Sequence, residues 1–191
     1  MSRFLIGPVT IVNDNTDIYL TEPVTVQEVK DYLQLVGTGY DGPLAIFITT
    51  ARKQIENYCN VSLTAKIVRA QIRNTISSKP FPLPYSPIVS VTSLVWKRCR
   101  STAVDQVYLT DWWFVDPDAD QKWISSGRCT IDRNQGFIAL YTTMPPADVT
   151  PFKQAILSQV GYIYNNRDSE NAEQFSPETK GLIDSLRINY F

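Results

Sequence analysis

The carboxylates of Asp116, Asp118 and Asp120, in the stretch DPDADQK, stand at alternate positions like the first ligands of a calcium loop. Such a loop also needs glycine at its sixth position and a bidentate Glu at its twelfth, where this chain has Gln121 and Gly127. The spacing therefore reads as a solvated loop, and no metal site is assigned. The glycines of GTGYDG, at 37, 39 and 42, lack the Lys-Ser/Thr pair that holds phosphate and metal in a P-loop, and they read as a connector between helices. Cys59, Cys99 and Cys129 are odd in number and show no CxxC spacing, which points to reduced, packed thiols and synthesis in a reducing cytoplasm. Histidine is absent altogether, which removes Ser-His-Asp and Cys-His catalysis, the usual zinc ligand sets and the commonest general base near neutral pH. Carboxylate or lysine chemistry stays open, as in a carboxylate-dependent hydrolase, but no pair of carboxylates is marked out by its surroundings. The expectation is a protein with no catalytic, metal or cofactor-binding residues.

Charge is nearly balanced, with 18 Lys and Arg against 19 Asp and Glu, but it is unevenly placed. Between Asn57 and Val104 stand Lys66, Arg69, Arg73, Lys79, Lys97, Arg98 and Arg100 with no acid among them, whereas from Asp105 onward twelve carboxylates meet seven bases. Clustered cations release counterions from a phosphate backbone, so Lys66, Arg69, Arg73, Lys97, Arg98 and Arg100 are candidate contacts to DNA. A pI near 5.5 gives more weight to an acidic protein neighbour for the same residues. A second cluster is aromatic. Adjacent Trp112 and Trp113 on a strand face opposite ways, so one of them, or Trp123 nearby, is a candidate for a subunit or tail interface, unless the chain covers both faces itself.

These residues need elements to position them. Residues 1–22 have β-branched residues and turn formers without helical period, and read as an arm or an edge strand. Thr25 with Glu28 three residues on forms a capping-box pattern, opening a short helix to about Leu35 that Gly37-Thr38-Gly39 should end. A second helix, with Asp41 helping to cap it and Pro43 near its start, places Leu44, Phe47, Ile48, Ala51, Ile55 and Tyr58 on one stripe and Lys53, Glu56 and Asn57 largely opposite. From Leu63 the pattern turns to four or five antiparallel strands, with a tight turn expected at Asn134-Gln135-Gly136. In one of them Val89, Val91, Ser93 and Val95 should share a face, and Ile88, Ser90, Thr92, Leu94 and Trp96 the other. Pro82, Pro84 and Pro87 ahead of that strand suit an edge approach, at the junction of helices and sheet. Thr150-Pro151 should cap a third helix to about Asn166, burying Phe152, Ile156, Gln159 or Val160, and Ile163; Ser176 should cap a last short one from Pro177 to about Leu186. No run of about 20 apolar residues is present, so no membrane partner is expected. The fold class is α+β.

Four stretches in this order, EPVTVQEVKDYLQL, DGPLAIFITTARKQIENYCNVSL, FPLPYSPIVSVTSLVW and TPFKQAILSQVGYIYNNRDS, resemble the head-tail connector proteins of tailed bacteriophages, also called adaptor or head-completion proteins. The likeness runs over roughly residues 22 to 187, with a longer N-terminal arm and an unmatched Trp-rich segment, 111–127. It implies a helical platform of two long and two short helices carrying an inserted small antiparallel β-domain, with extended arms at both ends. The implied division is an arm 1–22, platform 23–60, β-domain 61–147, platform 148–186 and tail 187–191. The role it implies is a non-enzymatic virion protein at the neck, in a usually dodecameric ring below the portal. Its partners would be other copies of itself, the portal, a tail or tail-completion protein, and DNA held by weak contacts in the channel. Arg187, Ile188, Asn189, Tyr190 and Phe191 are the portal-interface candidates by the same resemblance. A tail-completion protein of the same joint, and a non-viral nucleic-acid-binding module using the basic β-region, are the alternatives.

Overall fold

The structure, a computed structural model, describes residues 5–13, 22–73, 81–98, 106–107, 113–115, 123–126, 135–167 and 173–188. It is α+β, and the chain divides into two units: one of residues 1–20 and 65–144, which holds the described strands, and one of residues 21–64 and 145–191, which holds the described helices.

The helical unit begins with α1, Val26–Leu33. Its capping box is complete: the Thr25 hydroxyl accepts from Glu28 N at 3.2 Å, and the Glu28 carboxylate accepts from Thr25 N at 2.6 Å. The helix stops earlier than the glycines suggest, because Gln34 adopts the left-handed conformation (φ 55°, ψ 39°) and Leu35 N donates back to Lys30 O at 2.9 Å. Helix α2, Asp41–Cys59, includes Asp41 as its first residue. The Asp41 carboxylate does not cap; it pairs with Lys30 at 3.0 Å, at the end of the helix where negative charge is favoured. Asn60, at φ 58°, ends the helix. Helix α3, Thr150–Asn165, has Thr150 inside its first turn where a cap was expected, and the Asp148 carboxylate two residues earlier takes Thr150 N instead, at 2.9 Å. Helix α4, Pro177–Asp184, is capped as expected by Ser176, whose hydroxyl accepts from Thr179 N at 3.0 Å.

The core of this unit is made by Val29 from α1, Leu44, Ile48, Ala51, Ile55 and Cys59 from α2, Phe152, Ala155, Ile156 and Val160 from α3, and Ile183 from α4. Both Gln159 and Val160 are buried. Two polar residues of α2 face this interior. Arg52 is 1% exposed and pairs with Glu56 at 2.9 Å and with Glu22 at 2.8 Å. Glu56, expected largely opposite the apolar stripe, lies two helical repeats beyond Ile48 and is buried, its other oxygen accepting from Leu63 N at 2.8 Å.

The other unit has two antiparallel sheets. Strands β1 (Leu5–Asn13), β2 (Lys66–Arg73), β4 (Ile88–Arg98), β5 (Gln106–Val107) and β8 (Gln135–Thr143) form one, in the order β1-β2-β8-β4-β5. Strands β3 (Phe81–Pro82), β6 (Trp113–Val115) and β7 (Trp123–Ser126) form the other, in the order β3-β7-β6. Val68, Ala70, Ala139, Tyr141 and Thr143 make a buried face of the larger sheet. The proline-rich segment lies within this unit: Leu83, Pro84 and Ser86 are buried, and Tyr141 Oη donates to Pro84 O at 2.8 Å.

Strict alternation fails in β4. The register pairs Ile88 with Thr143 and Ser90 with Thr142, then Val91 with Tyr141 and Ser93 with Leu140, so Val89 and Thr92 are extra residues at two bulges. Both are exposed, and Ile88, Val91 and Leu94 take the positions opposite Thr143, Tyr141 and Ala139. Of the expected turn Asn134-Gln135-Gly136, Gln135 and Gly136 belong to β8, opposite Arg98 and Lys97, and Asn134 lies outside the described residues.

Three variants test the helical unit. Thr25→Ala should cost about 1 kcal/mol in urea unfolding at pH 7. The Glu28 carboxyl is held below its ordinary value of 4.5, chiefly by the backbone N–H of Thr25, so its contribution is present above that value and vanishes as pH falls through the folded value. Glu28→Gln should accordingly flatten the acid side of the stability profile. Arg52→Ala should cost about 3–5 kcal/mol, since it leaves the buried Glu56 carboxylate without its cation; a loss under 1 kcal/mol would contradict the buried network.

Candidate functional site

The C-terminal end of α2 is where the first residues of the candidate interaction segment, Arg187 and Ile188, are held. Ile188 N donates to Cys59 O at 3.0 Å, and Asn60 Nδ2 donates to Ile188 O at 3.3 Å, so the chain is hydrogen-bonded in both directions to the residues that end α2. Arg187 lays its guanidinium 5.0 Å above the Tyr58 ring, a cation–π contact. Tyr58 also donates its hydroxyl to the Asp184 carboxylate and meets Phe175 edge-on, with centroids 5.3 Å apart. The Asp184 hydrogen bond, more than burial, raises the Tyr58 phenol above 10.0. Beneath them Cys59 is fully buried, its thiol donating to Ile183 O at 3.6 Å, and desolvation pushes its pKa to about 12. It is a packed thiol, as expected. Of the five portal-interface candidates, Arg187 and Ile188 form this anchored root, while Asn189, Tyr190 and Phe191 lie outside the described residues.

The basic candidates divide. Lys66 is 2% exposed, with its ammonium 5.7 Å from the centre of the Tyr85 ring, so it leaves the surface set. Arg69, three residues further along β2, is exposed on the other face. Register brings Arg73 of β2 and Lys97 of β4 opposite the same residue, Gly136 of β8, with Arg98 next in line opposite Gln135. Arg100 lies outside the described residues. The strand-bearing unit carries eleven Lys and Arg against eight Asp and Glu, and the helical unit seven against eleven, so the near-zero net charge is the sum of two opposite ones.

Trp113 and Trp123 start β6 and β7, which pair with each other, and Trp123 is in register with Pro82 of β3. The Trp-rich segment and the proline-rich segment are therefore partners in one small sheet, a pairing across about 40 residues that neither pattern announces. Trp112 and Asp116, Asp118 and Asp120 lie outside the described residues. Among the described residues no group of three His, Cys, Asp or Glu side chains is arranged to hold a metal ion, and no helix is long and apolar enough to cross a membrane.

No protein-family model and no curated relative matches the sequence. Solved structures do. A chain in the neck of an empty gene transfer agent particle, computed with C6 symmetry, superimposes with a TM-score of 0.69 at 18% identity, over 96% of this chain and 96% of that one. A chain of the native gene transfer agent virion gives 0.68 at 18% identity over 95% of each. A neck chain of the native particle, computed with C12 symmetry, gives 0.61 at 20% identity over 86% of this chain and 88% of that one. This chain has the fold of neck proteins. The likeness covers 96% of this chain, more than the residues 22–187 over which the four quoted stretches resemble connector proteins.

The geometry at the α2 terminus makes a chemical prediction. In a Cys99→Ser, Cys129→Ser background, Cys59 should resist iodoacetamide at pH 8 in native buffer and react fully in 6 M guanidinium, read by intact mass. Native labelling at the rate of a free thiol would overturn its burial beneath Arg187 and Ile188.

Proposed function

We propose that this chain is a structural protein of the neck of a tailed-phage-like particle, forming a ring below the portal that joins head to tail and continues the DNA channel. The observation that carries this reading is the fold shared with gene transfer agent neck chains over 96% of both sequences, at a TM-score of 0.69. Neighbours computed with C6 and with C12 symmetry support a ring, and twelve copies would suit both symmetries. The absence of histidine and of any marked carboxylate pair agrees with a role in assembly rather than catalysis. In this reading the protein works in the virion neck, its helical unit supplies the ring wall and the segment beyond Ile188 reaches the portal, while the tail or a tail-completion protein docks on the remaining face. Arg69, Arg73, Lys97 and Arg98 belong to the net-basic unit and would give DNA few, weak contacts, since a strongly basic channel would hold the genome during ejection.

The anchored root dictates how the portal contact is tested. Deleting residues 187–191 would strip the Ile188 hydrogen bonds and the Arg187–Tyr58 contact as well, mixing instability with loss of binding. A chain ending at Ile188 keeps them. It should retain the wild-type melting temperature and lose binding to the cognate portal ring by at least tenfold in sedimentation. Full-length protein that binds no portal would sink the neck reading; a shortened chain that binds normally would sink only the assignment of the tail.

A further inference from the structure

Four of the six large hydrophobic side chains exposed among the described residues lie at one end of the helical unit: Tyr32 at 54%, Val36 at 92%, Tyr40 at 41% and Ile46 at 66%. Tyr32 is in the last turn of α1, Val36 and Tyr40 are in the connection to α2, and Ile46 is in the second turn of α2. Contacts set the two tyrosines against α3, on either side of Val36 in the chain. The Lys30–Asp41 ion pair closes the connection at 3.0 Å. Tyr32 lies over Gly161 of α3, where an added Cβ would come within 3.4 Å of its ring. One turn further along α3, Tyr164 meets Tyr40 edge-on at 6.4 Å and carries the Arg167 guanidinium 5.3 Å above its ring. Leu35 turns inward to the core while its neighbour Val36 is almost wholly in solvent. Tyrosines with an arginine around a protruding aliphatic side chain have the composition of an interface centre.

We propose that this patch is one lateral flank of the ring and docks on a second copy of this chain, on a surface outside residues 32–46. The inference rests on the ring reading above. In a closed ring every subunit needs two different flanks, because a patch that mated with itself would close a two-fold dimer and stop there. The portal side is already accounted for at the opposite end of α2: the tail root leaves from Cys59 and Asn60, whereas the patch surrounds the start of this 19-residue helix, about 28 Å away. The two ends of one helix then serve two different partners, and assembly around the ring does not compete with docking to the portal.

The test uses the full chain carrying Val36→p-benzoylphenylalanine, assembled on the cognate portal ring and irradiated. The expected product has twice the chain mass, and its cross-linked peptide maps outside residues 32–46 of the second copy. An adduct to portal or to a tail protein, or one within residues 32–46 of the second copy, overturns the proposal. The double variant Val36→Asp, Ile46→Asp, folded by circular dichroism, should assemble at least tenfold less well in mass photometry on portal. Unchanged assembly of that variant refutes the flank and leaves the neck reading standing, whereas wild-type protein that forms no ring on portal removes both.

Discussion

The helical unit depends on one buried cation. Arg52 sits on the apolar stripe of α2, between Ile48 and Ile55, with 1% of its side chain exposed. A guanidinium in that position is tolerated only if its charge and its donors are met, because removal from water costs several kcal/mol. Glu56 meets it from the same helix and Glu22 from the segment before α1, with Thr64 at 3.5 Å on a third side. Glu22 is held in turn by the Thr49 hydroxyl at 3.0 Å, and Glu56 by Leu63 N. Satisfying one charge thus fixes the approach to α1, the rotation of α2 about its axis, and the path of residues 61–64 just before the chain leaves for the strands. Hydrophobic burial alone fixes none of these so narrowly, since an apolar stripe tolerates small slides and rotations.

A second polar hub works on the α3 side. Gln159, fully buried, donates to Gln54 Oε1 at 2.8 Å and to Gln174 O at 2.7 Å, joining α3 to α2 and to the segment ahead of α4. Ser158 and the Thr179 hydroxyl add a bond at 2.9 Å, so α4 is set against α3 by side-chain polarity as well as by Ile183. Once α4 is placed, Asp184 stands within reach of Tyr58 and the chain can return to Cys59 and Asn60. The root of the tail is therefore a consequence of the interior: its position is inherited from Gln159 and Ile183.

What could be read from sequence divides along physical range. The Thr25–Glu28 box and the Ser176 cap are local, decided within four residues, and both stand in the structure. The stripe of α2 is periodic and was legible, but Glu56 was assigned to water because residue type outweighed its position in the Ile48 row. A charged pair at 52 and 56 that falls on an apolar stripe was the available signal. The bulges in β4 had no signal, since an inserted residue shows only against its partner β8, some 45 residues on. The stretches that carry the resemblance hold both ends of the ionic network: Glu22 opens the first, and Arg52 and Glu56 lie in the second.

The same bulges bear on how copies of this chain can associate. Among the described residues, the larger sheet ends in β1 on one side and, over residues 88–93, in β4 on the other, where β5 pairs with Val95 and Trp96. Unpaired edges invite strand addition, most dangerously where many identical copies crowd together. Here β4 is broken by bulges at Val89 and Thr92 behind Pro87, and β1 contains Pro8 with register shifts between Ile6 and Val9 and between Ile11 and Asn13. Neither edge offers an uninterrupted ladder of donors and acceptors. Strand addition at either edge would have to skip a proline and bulged residues, so backbone pairing is discouraged at both. The helical unit has no such edges to guard, and its geometry is fixed instead by side chains, above all the buried Arg52 network.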